Sequence, residues 1–301
     1  QSIRLLVVLR NMGSSRRRSK LTFNALKREI VAQIETAISE ASAITTSSDE
    51  RIHRVRRRTK RIRAKLRMLA SEAPRRSRKA SKHAREASAL LSPFRDTQIV
   101  PAALDSVRAM LHESIDCNHS MVLQWLANSS CQRGADERTL WDSRRQACDH
   151  FTHARKLISR VSVGKSKRIS PKHLAPAYQR GRESVHCVLA GGHEESFHEL
   201  RKAVKCDLYQ SRFMKPALRE ALASRIELAK QWRDLLGEVQ DIVVLRDRCR
   251  LAPATIDPRE IKAFVELCDR AASDRRTRAL SEACQLYFLT TDEFVSALKS
   301  H

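Results

Sequence analysis

His53-Arg54-Val55-Arg56-Arg57-Arg58-Thr59-Lys60 and His198-Glu199-Leu200-Arg201-Lys202-Ala203-Val204-Lys205 follow one pattern, H-x-Φ-R-[R/K]-x-x-K, with Φ apolar, 145 residues apart. The same offset of 145 relates Arg67 to Arg212, Arg85 to Lys230, Leu90-Leu91 to Leu235-Leu236 and Asp96 to Asp241. A register held without a gap across more than forty residues reads as an internal repeat. The helical pattern at 22–44 also falls, within a few residues, on that at 172–190. Each half should then supply four or five antiparallel helices. The expected fold is all-α: two tandem four-helix-bundle-like halves related by a pseudo-two-fold axis. The expected division is a basic N-terminal arm at 1–21, a first bundle at 22–165 and a second at 166–301, together one domain.

Composition agrees with helices. Seven Gly and eight Pro in 301 residues leave too little turn chemistry for an all-β chain. An apolar share of 42% is enough to build a core. Helices are expected at 22–44, 50–71, 75–91, 96–127, 136–162, 172–190, 194–214, 216–236, 240–250, 258–272 and 276–299, separated by Gly, Pro and Ser/Thr breaks. The longest apolar run, Leu5 to Leu9, is far short of the ~20 residues a membrane span needs. The eight cysteines form no C-x-x-C pair and sit within helical patterns, so reduced thiols in the cytoplasm are expected. The first 28 residues hold no acid and contain Arg16-Arg17-Arg18, which fits either a transit peptide or a disordered basic arm.

The repeated stretch carries the chemistry. At 100° per residue, His53, Arg56, Arg57, Lys60 and Arg67 form one stripe about 100° wide. Ile52, Val55, Ile62, Leu66 and Leu69 lie opposite and face a core, while Arg54, Arg58, Arg61 and Lys65 occupy a flank. In the second copy the flank relaxes to Glu199, Ala203, Cys206 and Gln210, yet His198, Arg201, Lys202, Lys205 and Arg212 remain. The halves share the stripe, not overall charge. Adjacent like charges cost a helix a few tenths of a kcal/mol per pair, so such a stripe is expected where an anion compensates it. Arginine offers phosphate a planar fork and lysine a mobile point charge. His53 and His198 either gain a proton from a bound polyanion or are satisfied by a local carboxylate. Asp96 and Asp241 each follow a break, so helix N-caps are expected, with orientation of Arg85 or Lys230 as the alternative.

A balance of 58 Lys+Arg against 34 Asp+Glu, formally +24, points to a polyanionic partner. Other signals are weak. Gly164-Lys165-Ser166 lacks the glycine a P-loop needs at Ser159, and His193 and His198 cannot share a helix face. Asp149, His150 and His153 share one turn without a further ligand at short spacing, so a plain helix surface is expected there, with no metal site and no cofactor. No paired carboxylates or Ser/His/Asp set stands out, and the stripe has no acid to hold Mg²⁺, which argues for binding over phosphoryl chemistry. Only 5% of residues are aromatic, few for stacking single-stranded bases.

Residues 52–66 and 197–209, each followed by a helix ending in Leu91-Ser92-Pro93-Phe94-Arg95-Asp96 or Leu236-Gly237-Glu238-Val239-Gln240-Asp241, resemble the CHAD family, the conserved histidine α-helical domain. The resemblance covers residues 22 to about 300. It implies two four-helix bundles with a basic channel between them and binding of inorganic polyphosphate, which would associate the protein with polyphosphate granules. By matching positions, His53, Arg56, Lys60, Arg85, His198, Arg201, Lys205 and Lys230 would contact the polymer. The chain departs from the family pattern at Lys60, Cys206 and Leu208, where arginine is more usual. The expected function is non-enzymatic polyphosphate binding. Sequence-independent nucleic-acid binding is the alternative, and a phosphate-ester hydrolase a third reading.

Overall fold

The computed structural model describes residues 21–45, 49–95, 120–131, 137–164, 167–214, 216 and 218–299. Among them are ten α-helices: α1 (Phe23–Ser42), α2 (Asp49–Leu69), α3 (Pro74–Leu90), α4 (Ser120–Cys131), α5 (Glu137–Ser159), α6 (Ala175–Leu189), α7 (Glu194–Met214), α8 (Arg219–Cys249), α9 (Pro258–Leu286) and α10 (Thr291–Lys299). Extended pairing among the described residues is confined to one isolated bridge, Thr22 with Arg168. Asp96 and the arm at 1–20 lie outside the described residues.

Local chemistry sets the helix starts. Thr22 caps α1, its Oγ1 accepting from the Ala25 amide at 3.2 Å. Phe23, Leu26, Ile30, Ile34, Ala37 and Ala41 then form one buried stripe at three- and four-residue spacing. Pro74 opens α3, where a missing N–H costs nothing. After α6, Gly191 turns the chain at φ 90°, a left-handed conformation that glycine adopts without a Cβ penalty.

The first bundle is a closed ring in which α1 packs on α2, α2 on α3, α3 on α5 and α5 back on α1. The buried face of α3 consists of Ser77, Ala80, Ala84 and Ala87, all small, so α5 can approach closely. The second half runs α6, α7, α8, α9 in neighbouring order. Tyr287, just past α9, lies so close over Gly181 of α6 that a Cβ there would overlap its ring. Phe294 of α10 stacks on Tyr178, centroids 4.0 Å apart. One apolar core runs through both halves, from Phe23 to Leu298.

The motif helices α2 and α7 have equal length, 21 residues, and their bounds differ by 145 at both ends (194 − 49 and 214 − 69). They pack on each other. Gln210 Nε2 donates to the Ala64 carbonyl at 2.8 Å, Arg61 lies over the Tyr209 ring at 5.9 Å and Lys65 over Phe213 at 5.8 Å. Position rises together along both helices, so α2 and α7 run in the same direction.

Several sequence expectations need correction. The breaks expected at 237–239 and 273–275 are absent: α8 runs unbroken through Gly237, and α9 is continuous to Leu286. A mid-helix glycine costs only about 1 kcal/mol relative to alanine, and packing of α8 against α7 and α9 outweighs that. Asp241 therefore lies inside α8 and caps nothing. The expected last helix is interrupted before α10. Helix α4, assigned from sequence to the first bundle, packs instead on α8 and α9, with Val122 and Leu126 against Ile242, Leu245, Phe264 and Cys268. Among the described residues, no helix is long and apolar enough to cross a membrane. Cys148, Cys187, Cys206, Cys249 and Cys268 are free thiols.

Candidate functional site

A groove of roughly 400 Å³ opens where α2 meets α7 and α8. From α2 it receives His53, Arg56, Arg57 and Lys60; from α7, Arg201, Lys205 and Tyr209; from α8, Arg233, Asp234, Gly237, Glu238 and Asp241. Six Lys/Arg side chains thus face three carboxylates.

The helix faces sort themselves by pairing. On the flank of α2, Arg58 forms a two-pronged bond to Glu40 of α1 at 2.9 and 2.8 Å, which holds the Glu40 carboxyl below its usual range. Arg54 pairs with Glu50 at 2.8 Å, and Lys65 with Glu29. Carboxylates of the bundle itself thus answer these flank cations, while His53, Arg56, Arg57 and Lys60 of the stripe line the groove.

Both motif arginines are placed against the backbone of a neighbouring helix. Arg56 Nη1 donates to the Ser88 carbonyl at 3.3 Å and to Ser92 Oγ, at the C-terminal end of α3 where helix carbonyls favour a cation. Arg201 lies over Gly237, where a Cβ would stand 3.2 Å from Nη2. The pairs Arg56–Ser92 and Arg201–Gly237 are displaced from each other by 145 at both members. Gly237 therefore makes room for the guanidinium instead of ending a helix.

Lys205 records the electrostatics of the groove. Burial, then Arg201, Lys60 and Arg233, push its ammonium down to about 7, with Asp241 acting in the opposite sense. Asp241 thus bears on a cation, as in the alternative sequence reading, though the cation is Lys205 and not Lys230. Of the other acids, Asp234 pairs within the groove lining with Arg233 at 2.8 Å, and Glu238 with Arg275 of α9, outside it, at 3.0 Å.

The remaining predicted residues do not line this groove. His198 Nδ1 lies 2.6 Å from Gln240 Oε1 and, facing an acceptor, donates to it. Its partner is an amide, not the carboxylate weighed from sequence. His198 lines a separate pocket of about 300 Å³ with Glu194, Glu195, Asp247 and Arg276. There, hydrogen bonds from Arg246 and then Arg276 pull the Glu194 carboxyl down to about 2. Lys202 pairs with Glu199 at 2.5 Å, and exposed Lys230 is 3.7 Å from Glu227. Arg67 and Arg85 join Arg63 in a second cationic cluster, where burial followed by these two neighbours lowers the Arg63 guanidinium. Arg212 is half-buried and outside the groove.

Sequence reading missed Arg233, Tyr209 and Gly237. Arg233 had no signal in the repeat, because the position 145 residues earlier is Ser88. The equivalence of Ser92 and Gly237, both small, was the one available clue to the arginine seats.

Fold and site together define an all-helical domain that presents a cationic groove between paired motif helices. The CHAD-domain family model matches residues 28–250, well over half of the chain. The crystal structure of the CHAD domain from the plant Ricinus communis is similar over 96% of this chain and 96% of that one, at 14% identity and a TM-score of 0.50. Comparison with curated proteins finds no match. The chain belongs to the CHAD family.

Proposed function

We propose that this protein binds linear inorganic polyphosphate, without chemical turnover, along the groove between α2 and α7. The observation that carries the reading is the convergence of Arg56, Arg57, Lys60, Arg201, Lys205 and Arg233 from three helices on one concavity. A ribbon of phosphates brings one negative charge per short repeat and no bases. It matches such a groove through charge-assisted hydrogen bonds, each worth ~1.5–3 kcal/mol. Tyr209, the one aromatic side chain of the lining, is buried and covered by Arg61, so it offers no platform for a base. The formal charge of +24 favours sequence-independent binding to duplex backbones as the second reading. A polyphosphate binder would act where the polymer accumulates, at cytoplasmic granules.

Burial first, and then repulsion from Arg201, Lys60 and Arg233, depress Lys205, and a bound polyanion offsets the repulsive part. A phosphate beside Lys205 restores the ammonium, so polymer uptake is coupled to proton uptake near neutral pH. The test is competition at ~0.15 M salt, where exposed charges are screened. Labelled polyphosphate should resist displacement by duplex DNA at equal phosphate concentration; displacement at parity would favour the second reading. Combining Arg56→Ala with Arg201→Ala should weaken binding on the order of 100-fold. Arg54→Ala with Arg58→Ala should cost less than ~5-fold, because those side chains already have carboxylate partners. Equal losses would mean that bulk charge is responsible. Release of inorganic phosphate from polyphosphate in the presence of Mg²⁺ would overturn the non-enzymatic reading.

A further inference from the structure

Outside the groove, a second set of chemistry-bearing side chains meets where α3 packs on α5. Asp149, His150 and His153 share one turn of α5 and lack a further ligand at short spacing. The fold supplies what the spacing does not. The small residues Ala80, Ala84 and Ala87 on α3 draw α5 close and bring His83, 67 residues upstream of His150, against it with Glu86 one turn on. His83 Nδ1 lies 3.0 Å from His150 Nδ1. Glu86 Oε2 lies 3.7 Å from the first nitrogen and 3.4 Å from the second.

Hydrogen bonding alone accounts poorly for this triangle. A contact between two neutral imidazoles uses one N–H and one lone pair. The accepting nitrogen then turns toward Glu86, whose ionised carboxylate has only lone pairs to offer. A cation at the centre satisfies all three atoms at once. For a tetrahedral ion with bonds of ~2.05 Å, ligand atoms stand ~3.4 Å apart, and the three edges of 3.0, 3.4 and 3.7 Å bracket that value.

The surroundings suit an ion that enters from solvent. The three side chains are about one-third exposed, at 31%, 32% and 33%. His153 stacks on His83, centroids 5.4 Å apart, and its Nδ1 donates to the Asp149 carbonyl at 2.8 Å. That bond fixes the His153 ring, which packs against the His83 ring and helps to orient it. Lys82, 3.8 Å from Glu86, is the competing cation, and it is largely exposed. The cluster belongs to the first bundle alone, for the positions 145 residues on are Leu228, Gln231 and Val295.

We propose that His83, Glu86 and His150 bind one divalent transition-metal ion of the Zn²⁺ class, with water in the fourth position. Two imidazoles and a carboxylate suit Zn²⁺ or Co²⁺ better than Ca²⁺ or Mg²⁺, which take oxygen ligands. Such an ion pins α3 to α5 and stabilises the folded chain by mass action.

The test titrates the full chain, stripped of metal and polyphosphate, with CoCl₂ and then ZnCl₂. The expected result is one saturable equivalent with the visible absorption of four-coordinate cobalt, displaced by zinc, and a higher thermal midpoint in ZnCl₂. His150→Ala and Glu86→Gln should each weaken binding by ~10-fold or more, while His193→Ala, at an exposed histidine outside the cluster, should not. Glu86→Gln preserves side-chain volume, so it decides the matter if His150→Ala fails to fold. Absence of a saturable equivalent would overturn the proposal, as would binding unchanged in Glu86→Gln or a six-coordinate cobalt spectrum.

Discussion

Helices α2 and α7 carry the same motif over the same 21 residues, yet they serve the groove unequally. Helix α2 contributes His53, Arg56, Arg57 and Lys60, whereas α7 contributes Arg201 and Lys205 from its motif. The difference lies in the neighbours. Against α2, Glu40 of α1 takes up the flank arginine Arg58, and His53, Arg56, Arg57 and Lys60 line the groove. Along α7, the unbroken helix α8 presents Gln240 to His198, while Glu199 of α7 itself pairs with Lys202. Helix α8 adds Arg233 to the wall together with its ion-pair partner Asp234. A sequence motif thus specifies what a face can do, and the packing partner decides which of its members do it.

The two helices are also anchored differently, and the largest expected effect tests that. Asp207 of α7 is buried with Arg225 of α8, Tyr287 donates to it at 3.0 Å, and Arg225 lies over the Tyr178 and Phe294 rings at 4.8 Å. Arg225→Met strands a buried carboxylate and should cost ~3–5 kcal/mol in urea unfolding. Glu40→Gln, the matching lesion beside α2, leaves more exposed arginines behind and should cost only ~1 kcal/mol. Similar losses would erase the distinction between buried and surface anchoring.

The two motif histidines offer the next contrast. His53→Ala should weaken polyphosphate binding about 5-fold, the value of one ordinary hydrogen bond. His198→Ala should leave affinity within 2-fold and lower stability by ~1 kcal/mol, because it loses the Gln240 bond. Calorimetric titration of both variants would reveal whether the halves are in fact equivalent.

Lys205 sharpens the same comparison through pH. In the empty groove its ammonium sits near 7 and a bound anion raises it. Polyphosphate binding should therefore be full below about 7 and weaken as pH rises through that value, until the bound form also loses its proton. Lys205→Arg, charged throughout, should flatten the profile between pH 6 and 9, a window set by the arginine's far higher range. An unchanged slope in that variant would place the titrating group elsewhere.

The smallest effect concerns the seats of the two arginines. Gly237→Ala should raise helix propensity by up to ~1 kcal/mol. It should also displace Arg201, with about a 2-fold loss of polyphosphate affinity on the scale of a weakened hydrogen bond. Unchanged affinity would mean the Arg201 guanidinium relocates freely.

Much of this architecture is legible without coordinates. The bounds 50–71 and 194–214 read from periodicity fall on α2 and α7 within two residues, because their apolar faces and charged stripes repeat at the helical period. Reading failed where a local signal competes with packing. Gly237 looks like a stop and Asp241 like a cap, but α8 passes through both because α7 and α9 hold it from either side. Ser88 hides the place of Arg233, since a repeat reports only positions at which both halves agree.

By itself, the order of residues determined that the chain is helical, cationic and twice patterned, since periodicity and charge are local properties that each segment carries wherever it packs. Only the tertiary structure decided that His53 enters the groove and His198 does not, that Arg201 rests on Gly237, and that His83 meets His150. Those outcomes depend on distances of a few ångströms between side chains tens of residues apart. The small faces, crossings and ion pairs of neighbouring helices set such distances, and no single segment contains them.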